Sequence, residues 1–467
     1  MIKFGTAGWR GIIGEEFTFQ NVRIVSQAIA NYLWSRGLGG RGVIIGYDTR
    51  FLSEKFAYES AKVLAGNKIT ALLCERDTPT PVLAYEVMRN NLAAAINFTA
   101  SHNPPEYNGL KYSDEDGAPA MPDVTEAIET EIEKLMNKAD VIFYYVDKSF
   151  IETFREQHNY LEFLKTKVQI SSIAQSRMKI AVDPLFGTAR EYVDKFMFDN
   201  GCIVHAIHNF RDPYFGGYAP EVSEPNLADL KKLVIEKECQ LGIATDADAD
   251  RFAIINERGE FVSCNIIVAL IFDYLSRTNK VSKSVGRSIS TTHMLDRIAM
   301  HNNMQVIETP VGFKYLAQLL KKNEIEIACE ENGGFSIKDH IPEKDGILAG
   351  LLTAEIIAQS GESLSTLIEK LHKKYGPLYY AKMDFPLKYK LRNRLQKIIK
   401  NPPDKVGGRK VIKVSTIDGI KLYLDGNEWV AIRFSGTEPL ARMYLETENI
   451  DTLDTLIKAS KTLLKLE

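Results

Sequence analysis

The stretch Ala93-Ala94-Ala95-Ile96-Asn97-Phe98-Thr99-Ala100-Ser101-His102-Asn103-Pro104-Pro105-Glu106-Tyr107-Asn108-Gly109-Leu110-Lys111 joins a short apolar run to a polar loop. The run reads as a buried strand. Two consecutive prolines stop the chain from continuing as helix, so the following segment reads as a shaped loop that presents Ser101 and His102. Ordinary turn chemistry also accounts for serine, asparagine and proline in such a place. A serine nucleophile needs a base, and phosphoryl transfer needs cations around the transferring group; Lys111 and His102 are the local candidates.

Outward from this strand, similar runs alternate with helical patterns over about three-quarters of the chain. They include Val43-Ile44-Ile45, Lys179-Ile180-Ala181-Val182 and Ile325-Glu326-Ile327-Ala328. Such alternation predicts α/β architecture, with parallel sheets covered by helices. Three runs end in polar clusters: Gly46-Tyr47-Asp48-Thr49-Arg50, Asn97 to Ser101, and Asp183-Pro184. Ligands bind at the carboxyl ends of strands in such folds. A chain of 467 residues is too long for one core. Helical stretches near 126–138 and 364–373, and the turn Glu257-Arg258-Gly259 after a strand at 252–256, divide it into expected domains 1–140, 141–256, 257–370 and 371–467. Past 370, the short strands Val411-Ile412-Lys413-Val414 and Trp429-Val430-Ala431-Ile432 precede a closing helix from about Asp451, which predicts a smaller α+β domain.

Thr245-Asp246-Ala247-Asp248-Ala249-Asp250-Arg251 follows the apolar run Leu241-Gly242-Ile243-Ala244. Carboxylates at alternate positions of an extended backbone point the same way and make a hard oxygen site suited to Mg2+. Three like charges this close are unfavourable without a cation. The spacing lacks the glycine and terminal glutamate of an EF-hand. Arg433-Phe434-Ser435-Gly436-Thr437-Glu438-Pro439 has the residues of a phosphate-binding loop, although Ser-Gly-Thr is also a common turn. No Walker A pattern occurs. In Cys329-Glu330-Glu331-Asn332-Gly333-Gly334, carboxylate and amide groups suit sugar hydroxyls, or a surface turn. Lys344, within His340-Ile341-Pro342-Glu343-Lys344-Asp345-Gly346, offers a cation for phosphate, or the segment is a capped helix entry.

Composition is that of an ordinary globular protein: 45% hydrophobic, 25% charged, net charge -3. That balance gives no basis for nucleic-acid binding. No stretch approaches 18 consecutive apolar residues and no signal-like segment opens the chain, so a cytoplasmic protein without membrane association is expected. The five scattered cysteines, Cys74, Cys202, Cys239, Cys264 and Cys329, read as reduced core thiols.

Taken in order, Gly5-Thr6-Ala7-Gly8-Trp9-Arg10-Gly11, the Ser101 loop, the three-aspartate loop, the Glu330 loop and the Arg433 loop resemble the motifs of the α-D-phosphohexomutase superfamily over essentially the whole chain. The resemblance implies three related α/β domains and a smaller C-terminal one around a central cleft. It implies that Ser101 is the phosphoserine, sharing Mg2+ with Asp246, Asp248 and Asp250. Arg10, Lys111 and Arg251 would lie near the reacting phosphate, with Lys111 and His102 as acid/base candidates. Glu330, Asn332, Gly312 and Lys344 would meet the sugar phosphate, and Arg433, Ser435, Gly436 and Thr437 the distal phosphate. A hexose 1,6-bisphosphate would serve as intermediate and activator, turning over in the cleft with a hinge near residue 370. The partners implied are small hexose phosphates, with the chain a monomer or dimer.

Asn332-Gly333-Gly334 departs from the serine usual in the family's sugar loop, which removes a base from that loop. Arg287 to Thr291, Gly312 to Tyr315 and His340 to Gly346 look like the phosphoglucomutase branch. Glucose phosphate is therefore the expected substrate, with mannose phosphate shared. A phosphoglucosamine mutase and a metal-dependent sugar phosphatase are the alternatives; a second phosphate loop, which retains a bisphosphate, argues against the phosphatase.

Overall fold

The computed structural model describes residues 2–5, 8–137, 147–155, 157–434 and 440–466. The first sheet runs in the order Trp9–Ile12, Tyr107–Ser113, Ala94–Phe98, Val43–Tyr47, Ala71–Cys74, Ile151–Phe154. Its last four strands are parallel; Tyr107–Ser113 returns antiparallel beside Ala94–Phe98. Every residue of Val43–Tyr47 and Ala94–Phe98 is buried, as expected where helices cover both faces of a parallel sheet. The strand Ile151–Phe154 lies beyond the boundary expected at 140 and still pairs with this sheet.

The second sheet has the order Phe261–Val262, Phe252–Asn256, Leu241–Thr245, Lys179–Asp183, Ile203–Ala206. The third has the order Gln305–Thr309, Ser284–Ser288, Ile327–Cys329, Phe335–Ile337. The strand expected at 325–328 spans Ile327–Cys329, and the carboxylate of Glu326 just before it accepts the backbone amides of Ser282 and Lys283 at 2.7 Å each. The helix Gly346–Ser360 follows the third sheet but lies on the second, where Gly350 lets it approach Ile243. One apolar core, including Ile243, Phe252, Ile271, Leu348 and Leu352, therefore runs through both units.

A common pattern links these three sheets. A parallel strand turns back into an antiparallel neighbour: Ala94–Phe98 into Tyr107–Ser113, Leu241–Thr245 into Phe252–Asn256, Ile327–Cys329 into Phe335–Ile337. The Ser101, three-aspartate and Glu330 motifs occupy these three turns. The fourth sheet, in the order Tyr379–Pro386, Leu440–Thr447, Glu428–Phe434, Ile420–Leu424, Arg409–Ser415, Lys405–Val406, is antiparallel throughout. Leu395, Leu453 and Leu456 of its two helices pack with Ile420, Leu422 and Val430 in a separate core.

All five cysteines are buried and unpaired, as expected. Among the described residues, no helix is long and apolar enough to cross a membrane.

Candidate active site

Ser101 is buried at the start of its turn with φ +52°, in the left-handed region that costs a side-chain-bearing residue about 1–2 kcal/mol. The strain is held by a wholly buried guanidinium. Arg50, from the polar cluster after Val43–Tyr47, donates through Nη2 to the carbonyls of Ser101 and Asn103, 2.6 Å each. Its Nη1 donates to Pro104 O at 2.6 Å and Tyr107 O at 3.0 Å. Its Nε donates to Asp48 Oδ2 at 3.0 Å, and Asp48 also accepts from Thr99 Oγ1 (2.7 Å) and Ser53 Oγ (2.9 Å). All five guanidinium donors are thus used.

The Ser101 hydroxyl donates to Asp246 Oδ2 at 2.8 Å. That contact brings the first and second motifs together. The three aspartates do converge, with ligand oxygens within 4.8 Å of one another. They do so differently from the extended alternation expected from the sequence. Residues 246–250 form a turn, closed by Ala249 N donating to Asp246 O at 3.1 Å with Ala249 at φ +59°. A tight turn gathers carboxylates from one short segment more closely than a strand, whose side chains alternate over 3.3 Å steps.

The donor set fits a hard divalent cation. All three aspartates are buried, and Asp248 Oδ1 and Asp250 Oδ1 have no hydrogen-bond partner among the described residues. The other oxygens are committed to the protein. Lys111 Nζ donates to Asp248 Oδ2 at 2.5 Å and to Asp250 Oδ2 at 2.6 Å, and Lys344 Nζ reaches Asp250 Oδ2 at 2.7 Å. The Arg251 backbone N–H donates to Asp246 Oδ1 at 3.1 Å. Burial, with Asp250 and Asp248 beside it, pushes the Asp246 carboxyl up to about 7. Burial acts on Asp250 in the same sense, but Lys111 and Lys344 hold it well below the usual range. Asp248 and Asp250 likewise outweigh burial at Lys111 and keep its ammonium above its ordinary value. Burial, reinforced by Arg251 and Arg10, holds the His102 imidazole well below its ordinary value, and its Nδ1 is without a partner among the described residues.

A cleft opens beside these groups. Arg10, whose Nη1 donates to Asn103 Oδ1, lines it together with His102, Lys111, Arg251, Gly312, Glu330, Asn332, Lys344 and Arg433. Glu330 Oε1 accepts the Gly312 N–H at 2.9 Å, tying the sugar-loop candidate to the entry of the helix Phe313–Lys321. Asn332 Oδ1 accepts the Gly334 N–H at 3.1 Å, so its amide N–H groups remain to donate. At the far wall, Asp418 accepts from Arg433 Nε at 2.7 Å and from Val311 N at 3.1 Å, orienting the guanidinium from two sheets. Ser435, Gly436 and Thr437 lie outside the described residues. Among the described residues the lining carries eight lysines and arginines against four glutamates, a formal excess of four positive charges in a chain of net charge -3. Such a cleft selects polyanions.

Models of the phosphoglucomutase/phosphomannomutase family match the chain three times: α/β/α domain I over residues 1–139, domain II over 158–259 and domain III over 263–375. The phosphoglucomutase/phosphomannomutase of Thermococcus kodakarensis is 31% identical over 451 residues, covering 96% of this chain and 94% of the relative. The chain belongs to this family. It is a phosphohexomutase, an intramolecular phosphotransferase of the α-D-phosphohexomutase superfamily. It is also similar to the phosphoglucosamine mutase of Clostridium botulinum, at 28% identity over 97% of this chain and 96% of the relative. A solved phosphoglucomutase/phosphomannomutase family protein from Burkholderia thailandensis shares the fold, with a TM-score of 0.84 at 20% identity over 100% of this chain and 98% of that one.

Sequence reasoning left out several groups that this phosphohexomutase uses to build the cleft. Arg50 was visible only as part of a strand-end cluster, and its donors act on a loop some fifty residues away. Glu343, buried beside Lys344 and pushed up to about 7 chiefly by burial, lay within a quoted segment whose lysine alone drew attention. Lys382 lines the cleft from a strand with no motif around it, and Arg442 from the strand that leaves the Arg433 loop, three residues past its last quoted position.

Proposed function

We propose that Ser101 carries a phosphoryl group which the enzyme exchanges between the 1- and 6-hydroxyls of a hexose phosphate through a 1,6-bisphosphate. The observation that carries this reading is the Ser101 hydroxyl on Asp246, within a buried carboxylate set and at the edge of a cleft rich in cations. Asp246, Asp248 and Asp250 would hold Mg2+, which when bound supplies charge neutralisation to the phosphoryl group in transfer. Arg10, Lys111 and Arg251 add fixed positive charge around the same group. Lys111, held cationic by two carboxylates, suits charge stabilisation. His102, kept neutral and with an open Nδ1 among the described residues, suits removal of the sugar hydroxyl proton. Glu330 and Asn332 suit ring hydroxyls, and Arg433 with Ser435, Gly436 and Thr437 the phosphate that is not reacting.

A bisphosphate carries about the charge that the cleft's formal excess offsets, which favours retention of the intermediate over its release. Glucose phosphate is the substrate this reading favours, with mannose phosphate shared. The amide N–H groups of Asn332, which remain to donate, suit a ring hydroxyl oxygen better than an ammonium group. Domains divided after the strand Ile151–Phe154 and near 256 and 370 complete the reading, the last boundary acting as hinge.

The test is a coupled assay of glucose 1-phosphate, mannose 1-phosphate and glucosamine 1-phosphate with Mg2+ and a trace of hexose bisphosphate. Intact-mass measurement runs alongside. Wild type is expected to turn over glucose 1-phosphate fastest and to carry one phosphoryl group. Ser101→Ala is expected to lose both turnover and phosphate. Full activity of that variant would sink the phosphoserine reading, and preference for glucosamine 1-phosphate would overturn the substrate assignment.

A further inference from the structure

The first sheet unit reaches the carboxylate turn of the second by a contact separate from Ser101 and Lys111. The helix Thr80–Asn90 begins after Pro79, with Pro81 in its first turn, and its opening residue is buried against Asp248. The Thr80 N–H donates to the Asp248 carbonyl at 2.9 Å. The Thr80 hydroxyl bonds Asp248 Oδ2 and receives Asn97 Nδ2 at 2.8 Å. At the first position of a helix, a threonine hydroxyl has no preceding helical turn to bond back to, so it is free to serve a tertiary partner. Asn97 stands at the end of Ala94–Phe98, four residues before Ser101.

The direction of this relay follows from its chemistry. Asp248 Oδ2 already accepts from Lys111. A carboxylate oxygen only accepts, so the single Thr80 proton goes to Asp248 and the threonine lone pair takes the Asn97 amide N–H. Two donors on Oδ2 stop the carboxylate from rotating. They leave Oδ1 as the buried oxygen of this carboxylate without a partner among the described residues, and so the one free to take a ligand.

We propose that Thr80 is a positioning residue for the cation site, orienting Asp248 so that Oδ1 and not Oδ2 is presented to the metal. The inference rests on the reading of Asp246, Asp248 and Asp250 as cation ligands. Hydrogen bonds to metal-ligating carboxylates characteristically contribute about 10- to 100-fold in metal affinity.

The test is titration of the purified full chain with Mn2+, with free Mn2+ followed by electron paramagnetic resonance and Mg2+ used as competitor. Wild type, Thr80→Val, Thr80→Ser, Thr80→Ala and Asp248→Asn are compared, with folding checked by circular dichroism. Thr80→Val is expected to bind about 10- to 100-fold more weakly, and Thr80→Ser, which keeps the hydroxyl, to bind as wild type. Should the valine variant not fold, Thr80→Ala carries the same expectation. Wild-type affinity in a folded variant lacking the hydroxyl, with Asp248→Asn impaired, would overturn the role of Thr80 while leaving the cation site intact. Absence of stoichiometric binding by wild type would overturn the cation reading and this inference with it.

Discussion

Replacing Arg50 by lysine keeps a positive charge at the centre of the Ser101 loop but changes the number and shape of its donors. The guanidinium makes five bonds: one to Asp48 and four to the carbonyls of Ser101, Asn103, Pro104 and Tyr107. An ammonium has three protons and no planar fork, so at least two of these buried acceptors lose their donor. At about 1–3 kcal/mol for each buried acceptor left bare, Arg50→Lys costs about 2–6 kcal/mol, most of it local to residues 101–107. Relaxation of that segment releases Ser101 from its left-handed conformation and moves the hydroxyl away from Asp246. Misplacement of a reacting atom by about 1 Å costs on the order of 100-fold in rate. Arg433 and Glu330 do not touch Arg50, so substrate binding survives. The expected outcome is a kcat lowered by about 100-fold with KM for glucose 1-phosphate little changed. Hydrogen exchange at residues 101–107 should accelerate while the core of the second and third sheets keeps its protection. Wild-type kcat with unchanged exchange in this loop would refute the reasoning.

Chelation with EDTA should abolish turnover and Mg2+ should restore it, because two buried carboxylate oxygens otherwise have no partner among the described residues; undiminished turnover in EDTA would contradict the cation reading. Lys421, wholly buried, joins the fourth sheet to the third by donating to Ile289 O at 2.7 Å and Glu308 at 2.9 Å. Lys421→Met should weaken that seam by about 1–3 kcal/mol and enlarge the radius of gyration in solution scattering, and an unchanged profile would count against a hinge near residue 370. The hydrogen bond between His208 Nδ1 and Asp183 outweighs burial and raises the imidazole above its ordinary 6.5. Its contribution is complete below 6.5 and lost as pH rises through the higher folded value, so wild type should lose thermal stability as pH rises above 6.5 more steeply than His208→Gln; equal slopes would refute this.

What could be read from the sequence was set by local rules. Buried strands such as Val43–Tyr47 announce themselves through continuous apolar runs, and the carboxyl-end rule points at the Ser101 loop and at the cluster that holds Arg50. The helix expected near 126–138 spans Pro122–Met136, the earlier start set by a proline that suits the first helical turn. What escaped was long-range. Arg50 serves carbonyls 51 to 57 positions away, and Thr80 meets Asp248 across 168, distances over which no periodicity carries information. The three aspartates fell between these cases: their convergence was legible and its geometry was not. Alternate spacing suggested a strand, whereas the left-handed Ala249 that makes the turn has no marker in its residue type.

That left-handed residue has counterparts. Ser101 at φ +52°, Ala249 at +59° and Gly333 at +88° each lie in the turn between a parallel strand and its antiparallel return. Only one of the three is the glycine that such a conformation favours. A turn clamped at both ends by sheet pairing imposes the conformation whatever the residue, and then side chains can be carried where glycine would be the default. For Ser101 the side chain is the proposed phosphate carrier, and about 1–2 kcal/mol of backbone strain is tolerated because Arg50 fixes the carbonyls around it. For Ala249 the neighbours on either side are metal-ligand candidates, and the tight turn between them sets their spacing. For Gly333 nothing projects toward the cleft: a Cβ there would stand 2.9 Å from Phe252 O, so contact with the second sheet and not the ligand decides that residue. The same turn geometry thus presents a proposed phosphate carrier, a carboxylate set and a sugar-loop candidate to one cleft. The differences among the three motifs are those expected when one backbone device carries three different chemistries.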